Sequence, residues 1–102
     1  MKRRKHSVRL LRIAEEDFTA IVTYVAAHNP EAAEILAQRI EKDLILLAGN
    51  PYLGRIPNDT RLTELGYRYL VVQDYLIFYI VEGRTIYVHR IIHGARDYGE
   101  LL

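Results

Sequence analysis

The run Tyr67-Arg68-Tyr69-Leu70-Val71-Val72-Gln73-Asp74-Tyr75-Leu76-Ile77-Phe78-Tyr79-Ile80-Val81-Glu82-Gly83 decides the fold. Two segments rich in aromatic and β-branched residues flank Gln73-Asp74, and Glu82-Gly83 leads into a third. Two-residue connections between such segments are hairpin turns, so the spacing predicts an antiparallel meander with strands over 67–72, 75–81 and 84–92. Residues 75–81 are apolar on both faces, which places them at the centre of the sheet. In the last strand Ile86, Val88, Arg90 and Ile92 are expected on one face, and Tyr87, His89, Ile91 and His93 on the other. Arg90 then lies in an apolar row, where a charge needs an acidic partner or an opening to water.

Outward from the meander, the sequence reads as helices and one further strand. Residues 7–13 alternate as a strand broken by Arg9 and Arg12, suited to a sheet edge. In 14–28, Phe18, Ile21, Val22 and Val25 recur at helical spacing behind Glu15, Glu16 and Asp17, which favour the positive end of a helix dipole. Asn29-Pro30-Glu31 restarts a helix over 30–48, since asparagine caps, proline fits the first turn and glutamate complements the dipole. Ala33, Leu36, Ile40, Leu44 and Leu47 line one side of it, and Gly49 with Pro51 stops it. With almost no loop between them the helices form an antiparallel hairpin. Residues 50–66, with Pro51, Gly54, Pro57 and Gly66, are expected to be irregular, and a loop of that length in a small domain is often functional.

The 102 residues suffice for one domain with a small two-layer core, and half of them are apolar. With no cysteine there is neither a disulfide nor a thiolate metal site, and the expected location is cytoplasmic. The start, Met1-Lys2-Arg3-Arg4-Lys5, precedes charged residues instead of an apolar stretch, so it is not read as a signal peptide. It is expected to fray and to touch nucleic acid or a partner non-specifically. No apolar run approaches the ~20 residues of a membrane helix. From Arg55 onward every base other than histidine is arginine, whose planar fork suits carboxylates and phosphates.

Donors and titratable groups are densest at Arg90-Ile91-Ile92-His93-Gly94-Ala95-Arg96-Asp97-Tyr98. His89 and His93, four residues apart on one strand, would be roughly 13 Å apart, too far to share a metal ion. No glycine-rich phosphate loop occurs, and the only serine, Ser7, lies in the first strand. What remains is a group of Arg68, His93, Arg96 and Tyr98. Such a set is suited to metal-free RNA cleavage, the arginines stabilising a pentavalent phosphate and His93 or Tyr98 moving the proton of the attacking 2′-hydroxyl. The same residues equally serve as hydrogen-bonding groups that close a strand end.

Several of these features together resemble the RelE/ParE superfamily of bacterial type II toxin–antitoxin toxins. They are the first strand, the hairpin with Asn29-Pro30 between its arms, Pro51 followed by Gly54-Arg55, the strand Tyr75-Leu76-Ile77-Phe78-Tyr79, and Arg90 followed by His93-Gly94-Ala95-Arg96-Asp97. The last two are similar to the ParE branch in particular. The resemblance covers nearly the whole chain and implies a single toxin domain over 1–102. Its fold would be α+β and RelE-like, in two layers: an N-terminal strand, and an antiparallel helical hairpin packed on a mainly antiparallel four-stranded sheet.

The resemblance also implies a cognate antitoxin that wraps and neutralises the toxin, operator DNA contacted only through that antitoxin, and no cofactor. ParE-like members inhibit DNA gyrase, whereas RelE-like members cut mRNA on the ribosome. A degenerate toxin that only binds its antitoxin is the third reading. Arg68 and Arg96 match basic positions of the RelE-type site, but other basic positions fall on Leu70 and on Leu76 or Ile77, and the terminal tyrosine position falls near Leu102. Relatives that use glutamate, arginine, histidine and a terminal tyrosine leave His93, Arg68 and Tyr98 as an alternative site. The expectation is therefore a ParE-like gyrase inhibitor. Arg55, Arg61, Arg68, Arg90, His93 and Arg96 would face target or antitoxin, with the antitoxin docking along the helical hairpin.

Overall fold

The computed structural model describes residues 5–102. The basic start 1–4, with the fraying and nucleic-acid contact expected of it, lies outside the described residues. The elements run β1 (Ser7–Leu10), α1 (Arg12–His28), α2 (Pro30–Gly49), α3 (Thr60–Glu64), β2 (Tyr67–Val72), β3 (Tyr75–Glu82) and β4 (Thr85–His93), followed by a 3-10 turn over Tyr98–Glu100. Strand order in the sheet is β1-β4-β3-β2. The meander is antiparallel, β3 is internal as its two-sided apolarity requires, and β1 adds to the edge of β4 in parallel.

Asn29 does two jobs between the long helices. Its N–H donates to Val25 O at 2.8 Å to close α1, and its Oδ1 accepts from Ala32 N–H at 3.1 Å to open α2. Pro30 fills the first turn of α2, where its missing N–H costs nothing. Ala14, Leu36, Ile40 and Leu47 face the sheet and pack on Leu70, Val72, Ile77, Tyr79, Ile86, Val88 and Ile91. The opposite face of the sheet has its own cluster, Leu62, Tyr67, Phe78 and Ile92, covered by Tyr98, Leu101 and Leu102 of the tail.

Four expectations are corrected. β1 ends at Leu10, because Leu11 donates its N–H to Val88 O and its own carbonyl already accepts from Glu15 N–H, so α1 starts at Arg12. Leu11 and Ile13, read as strand residues, are exposed at the start of α1. The segment 50–66 contains α3, capped where Asp59 Oδ1 accepts from Leu62 N–H at 3.1 Å and anchored by the fully buried Leu62. The β3–β4 turn is Gly83-Arg84, one residue later than read, with Gly83 at φ +59°.

The fourth correction is a β-bulge in β4. Phe78 pairs with Arg90 but Tyr79 pairs with Val88, so His89 is the extra residue and the alternation of faces resets there. Ile91 therefore joins Ile86 and Val88 against the helices, while Ile92 turns to the other face with Phe78. His89 and His93, expected on a common face, are separated: His89 packs edge-on to Tyr67 and His93 edge-on to Tyr75.

Candidate functional site

The seven residues singled out in the sequence fall into two groups on different parts of the molecule. The first gathers where β4 runs past the end of β1. β1 stops opposite Val88, which leaves the next stretch of β4 with an open edge. Asp17 of α1 fills it: Oδ2 accepts the Ile91 N–H at 3.0 Å and Arg90 Nε at 2.7 Å, and Oδ1 accepts Arg90 Nη2 at 3.0 Å. The bulge moves Arg90 out of the row expected for it with Ile86 and Val88 and onto the side of Phe78 and Ile92, and there it has an acidic partner, in a bidentate pair whose side chains are each 16% exposed. Its Nη1 donates to Leu101 O at 3.3 Å. The hydrogen bonds to Asp17 hold the guanidinium above its ordinary pKa, against burial, so it is charged at every accessible pH.

Beyond Arg90 the chain folds into a tight turn. Gly94 N–H donates to Asp74 O at 2.8 Å, and Arg96 N–H donates to His93 O at 3.0 Å. His93 Nδ1 accepts the Ala95 N–H at 3.1 Å, so the neutral ring carries its proton on Nε2, at the exposed side of the molecule. The Arg96 guanidinium is exposed and makes no hydrogen bond or ion pair among the described residues. Tyr98 lies on the opposite sheet face with its ring 4.9 Å from Phe78, and Arg61 of α3 secures the tail by donating from Nη2 to Gly99 O at 2.6 Å.

The second group lies along the outer edge of β2. Arg55 forms a one-residue bridge with Tyr69, exchanging hydrogen bonds of 2.8 and 3.0 Å. This covers the middle of an otherwise open edge. The bridge needs the chain to approach very closely at Gly54, whose N–H donates to Tyr79 Oη at 2.8 Å; a Cβ there would sit 2.6 Å from that oxygen. Burial pushes the Tyr79 phenol up, partly opposed by the Gly54 N–H and by nearby Arg68. Arg68 Nη1 donates to Gly54 O at 3.1 Å and Tyr52 O at 3.3 Å, and the guanidinium carbon lies 5.1 Å from the Tyr52 ring centroid.

The set proposed for RNA cleavage is not brought together. Arg68 pairs with Tyr79 and His93 with Tyr75, and β3 lies between their strands. Four residues along a strand and two strand spacings across set their backbones roughly 13 Å and 10 Å apart in the two directions. Arg68 shares the helix-covered face with Tyr79, whereas Tyr98 packs on the other. His93 and Arg96 alone share one turn. Leu70 and Ile77, at positions where RelE-type sites carry bases, are buried in the core.

Five residues of these sites were not singled out as site residues in the sequence. Asp17 appeared there only as a dipole partner, and neither Tyr52, Tyr79 nor the Tyr67–His89 pair has a local signature. Tyr67 Oη and His89 Nδ1 share a hydrogen bond of 2.9 Å, and burial lowers the His89 pKa despite Glu82 nearby. Among the described residues no three His, Asp or Glu side chains gather closely enough for a metal ion, and no helix is long and apolar enough to cross a membrane.

A helical hairpin laid on a mixed sheet of order β1-β4-β3-β2, its first strand parallel to its last, is the architecture of a small RelE/ParE-type toxin. Residues 8–98 match the family model described as ParE toxin of type II toxin-antitoxin system, parDE, and the chain belongs to that family. Among solved structures, a chain of the chromosomal ParDE toxin–antitoxin system from P. aeruginosa shares the fold with a TM-score of 0.72. The two are 24% identical, and the likeness covers 89% of this chain and 98% of that one. No curated protein matches the sequence.

Proposed function

We propose that this ParE-family toxin arrests growth by binding DNA gyrase, and that a cognate antitoxin neutralises it in the cytoplasm. The single observation that supports binding over cleavage is the dispersal of the catalytic candidates: Arg68, His93 with Arg96, and Tyr98 occupy three separate places. Phosphoryl-transfer chemistry needs donors and an acid–base group within hydrogen-bond reach of one phosphate. Arg55, Arg68, His93 and Arg96 present donors at the surface and are the groups assigned to target or antitoxin contact. Arg61 and Arg90 direct theirs to the tail and to Asp17, so their contribution to such contacts runs through the shape they hold.

The antitoxin's place is along α2, where Ile35, Ile45 and Leu46 are 49%, 68% and 51% exposed. An amphipathic partner segment covering those three side chains would bury them as a helix-in-groove ligand does. In this reading operator DNA is contacted only by the antitoxin.

Purified toxin at micromolar excess is expected to inhibit supercoiling of relaxed plasmid by gyrase, and untouched supercoiling would overturn the gyrase assignment. Primer extension on a defined mRNA in a purified translating system is the complementary test. Codon-positioned, ribosome-dependent cuts would replace the binding mechanism with an endoribonuclease, and silence in both assays from protein that still binds its antitoxin would identify a degenerate toxin.

A further inference from the structure

Tyr52 stands between two open clefts at the end of the molecule remote from His93 and Arg96. One, of 570 Å³, is formed where His6, Asn50 and Arg84 face the Tyr52 side chain. The other, of 330 Å³, has Ile56, Val81 and Arg68 on the far side of it. Among the described residues neither cleft is lined by an Asp or Glu. Glu82, next to the turn that carries Arg84, lies toward His89 on the opposite sheet face. Apart from Asn50 and Thr63 the rest of the lining is apolar or aromatic, and Tyr52 and Ile56 are 64% and 56% exposed. Two cations and a histidine thus surround an exposed aromatic ring with no internal counter-charge.

We infer that this double cleft is a docking site for an extended acidic peptide segment of a partner protein, with two carboxylates four or five residues apart and an apolar side chain between them. The spacing follows from the sheet. Arg68 is opposite Tyr79, and Arg84 adjoins Thr85, which is opposite Glu82. Four residues along the strand direction and one to two strand spacings across set the backbones of the two arginines roughly 15 Å apart, a span an extended peptide covers in four to five residues at ~3.3 Å each. Arg68 is already oriented: Nη1 is held by two carbonyls and the plane lies over Tyr52, while Nε and Nη2 make no hydrogen bond among the described residues. An arginine fixed in this way loses little rotamer freedom when it receives a carboxylate. The apolar residue between the acids rests on Tyr52 and Ile56.

A phosphate ligand fits less well. The larger cleft abuts the C-terminal end of α2 at Gly49 and Asn50, whose carbonyl dipoles disfavour a dianion more strongly than a single carboxylate paired with Arg84. Two separate single cations match two separate monoanions better than one concentrated charge. The inference is independent of whether gyrase is the target, because its test involves neither gyrase nor ribosome.

The test is fluorescence anisotropy of the labelled peptide Gly-Glu-Ser-Val-Ser-Glu-Gly with the purified chain. Saturable binding that weakens with salt is expected, lowered tenfold or more by Arg84→Ala and by Tyr52→Ala. Arg9→Ala, on the exposed part of β1, is expected to leave it unchanged. Both Arg84 and Tyr52 are exposed, so circular dichroism should show the fold intact in each variant. The proposal is overturned if the peptide does not bind at millimolar concentration, if its glutamine counterpart binds equally, or if either cleft variant binds like the wild type. Tighter binding of adenosine monophosphate or a short oligonucleotide at the same residues would also overturn it, in favour of a phosphate site.

Discussion

At Gly54 the absence of a side chain is what lets the loop reach the sheet. A methyl group there meets Tyr79 Oη at 2.6 Å, Tyr79 Cε1 at 2.7 Å and Tyr69 O at 3.0 Å. Tyr79 is fully buried and Tyr69 O is backbone, so neither can move aside cheaply. Gly54→Ala is therefore expected to cost about 2–3 kcal/mol, read as a lower urea midpoint at unchanged slope. The Tyr67–His89 pair makes a different prediction. Burial lowers the His89 pKa in the folded state below the ~6.5 of the unfolded chain, so below that pH the unfolded state takes up more protons. Stability is fully present above about pH 6.5 and falls as the pH drops below it. His89→Gln, which keeps a hydrogen-bonding group for Tyr67, should flatten the dependence of the urea midpoint between pH 7.5 and 5.5. An unchanged slope would refute the linkage. Neither contact was legible in the sequence: Gly54 was read only as part of an irregular loop and of a family resemblance, and Arg90 to His93, which follow His89, were placed on the wrong faces because an extra residue in a strand leaves no mark in hydrophobic alternation.

The elements were more readable, and where they were misread the cause is local. Asn29-Pro30 announced the helix junction correctly because capping chemistry is specified within four residues. Asn29→Ala should destabilise the chain by about 1 kcal/mol in thermal or urea unfolding. The β2–β3 turn was placed correctly from its spacing, yet Gln73 in it adopts φ +54°, a left-handed conformation that costs an L side chain roughly 1–2 kcal/mol. Part of that gain is lost to the extra freedom glycine brings to the unfolded chain, so Gln73→Gly is expected to stabilise by about 0.5–1 kcal/mol. A destabilised variant would mean that the Gln73 side chain contributes contacts of its own. β1 and α3 were misjudged because Leu11 and Ile13 fit either period over so short a window, and one buried leucine in five residues gives no period at all.

At the scale of the molecule, Asp17 is the point where the layers are joined: one carboxylate links α1 to β4 through Arg90 and Ile91, and Arg90 carries the link on to the tail at Leu101. Removing it leaves a partly buried guanidinium and an edge N–H without partners. Asp17→Ala is expected to cost about 2–4 kcal/mol, with the near-ultraviolet signal of Tyr98 changing as the tail loosens. Loss of stability without any change at Tyr98 would uncouple the tail from the pair. Such a contact, between residues 73 positions apart, is invisible to any reading of neighbours along the chain, which is why the architecture could be foreseen and the join could not. The parallel pairing of β1 with β4 has a further consequence for how the toxin is born. A ribosome delivers β1 and the helical hairpin long before the strand that must lie beside them, and at ~5–20 residues per second the wait lasts several seconds. During that interval the apolar stripe of the hairpin has no sheet to cover, and Arg55, Arg68, His93 and Arg96 do not yet exist. The surface assigned to target contact therefore comes into being only when the last strand is made.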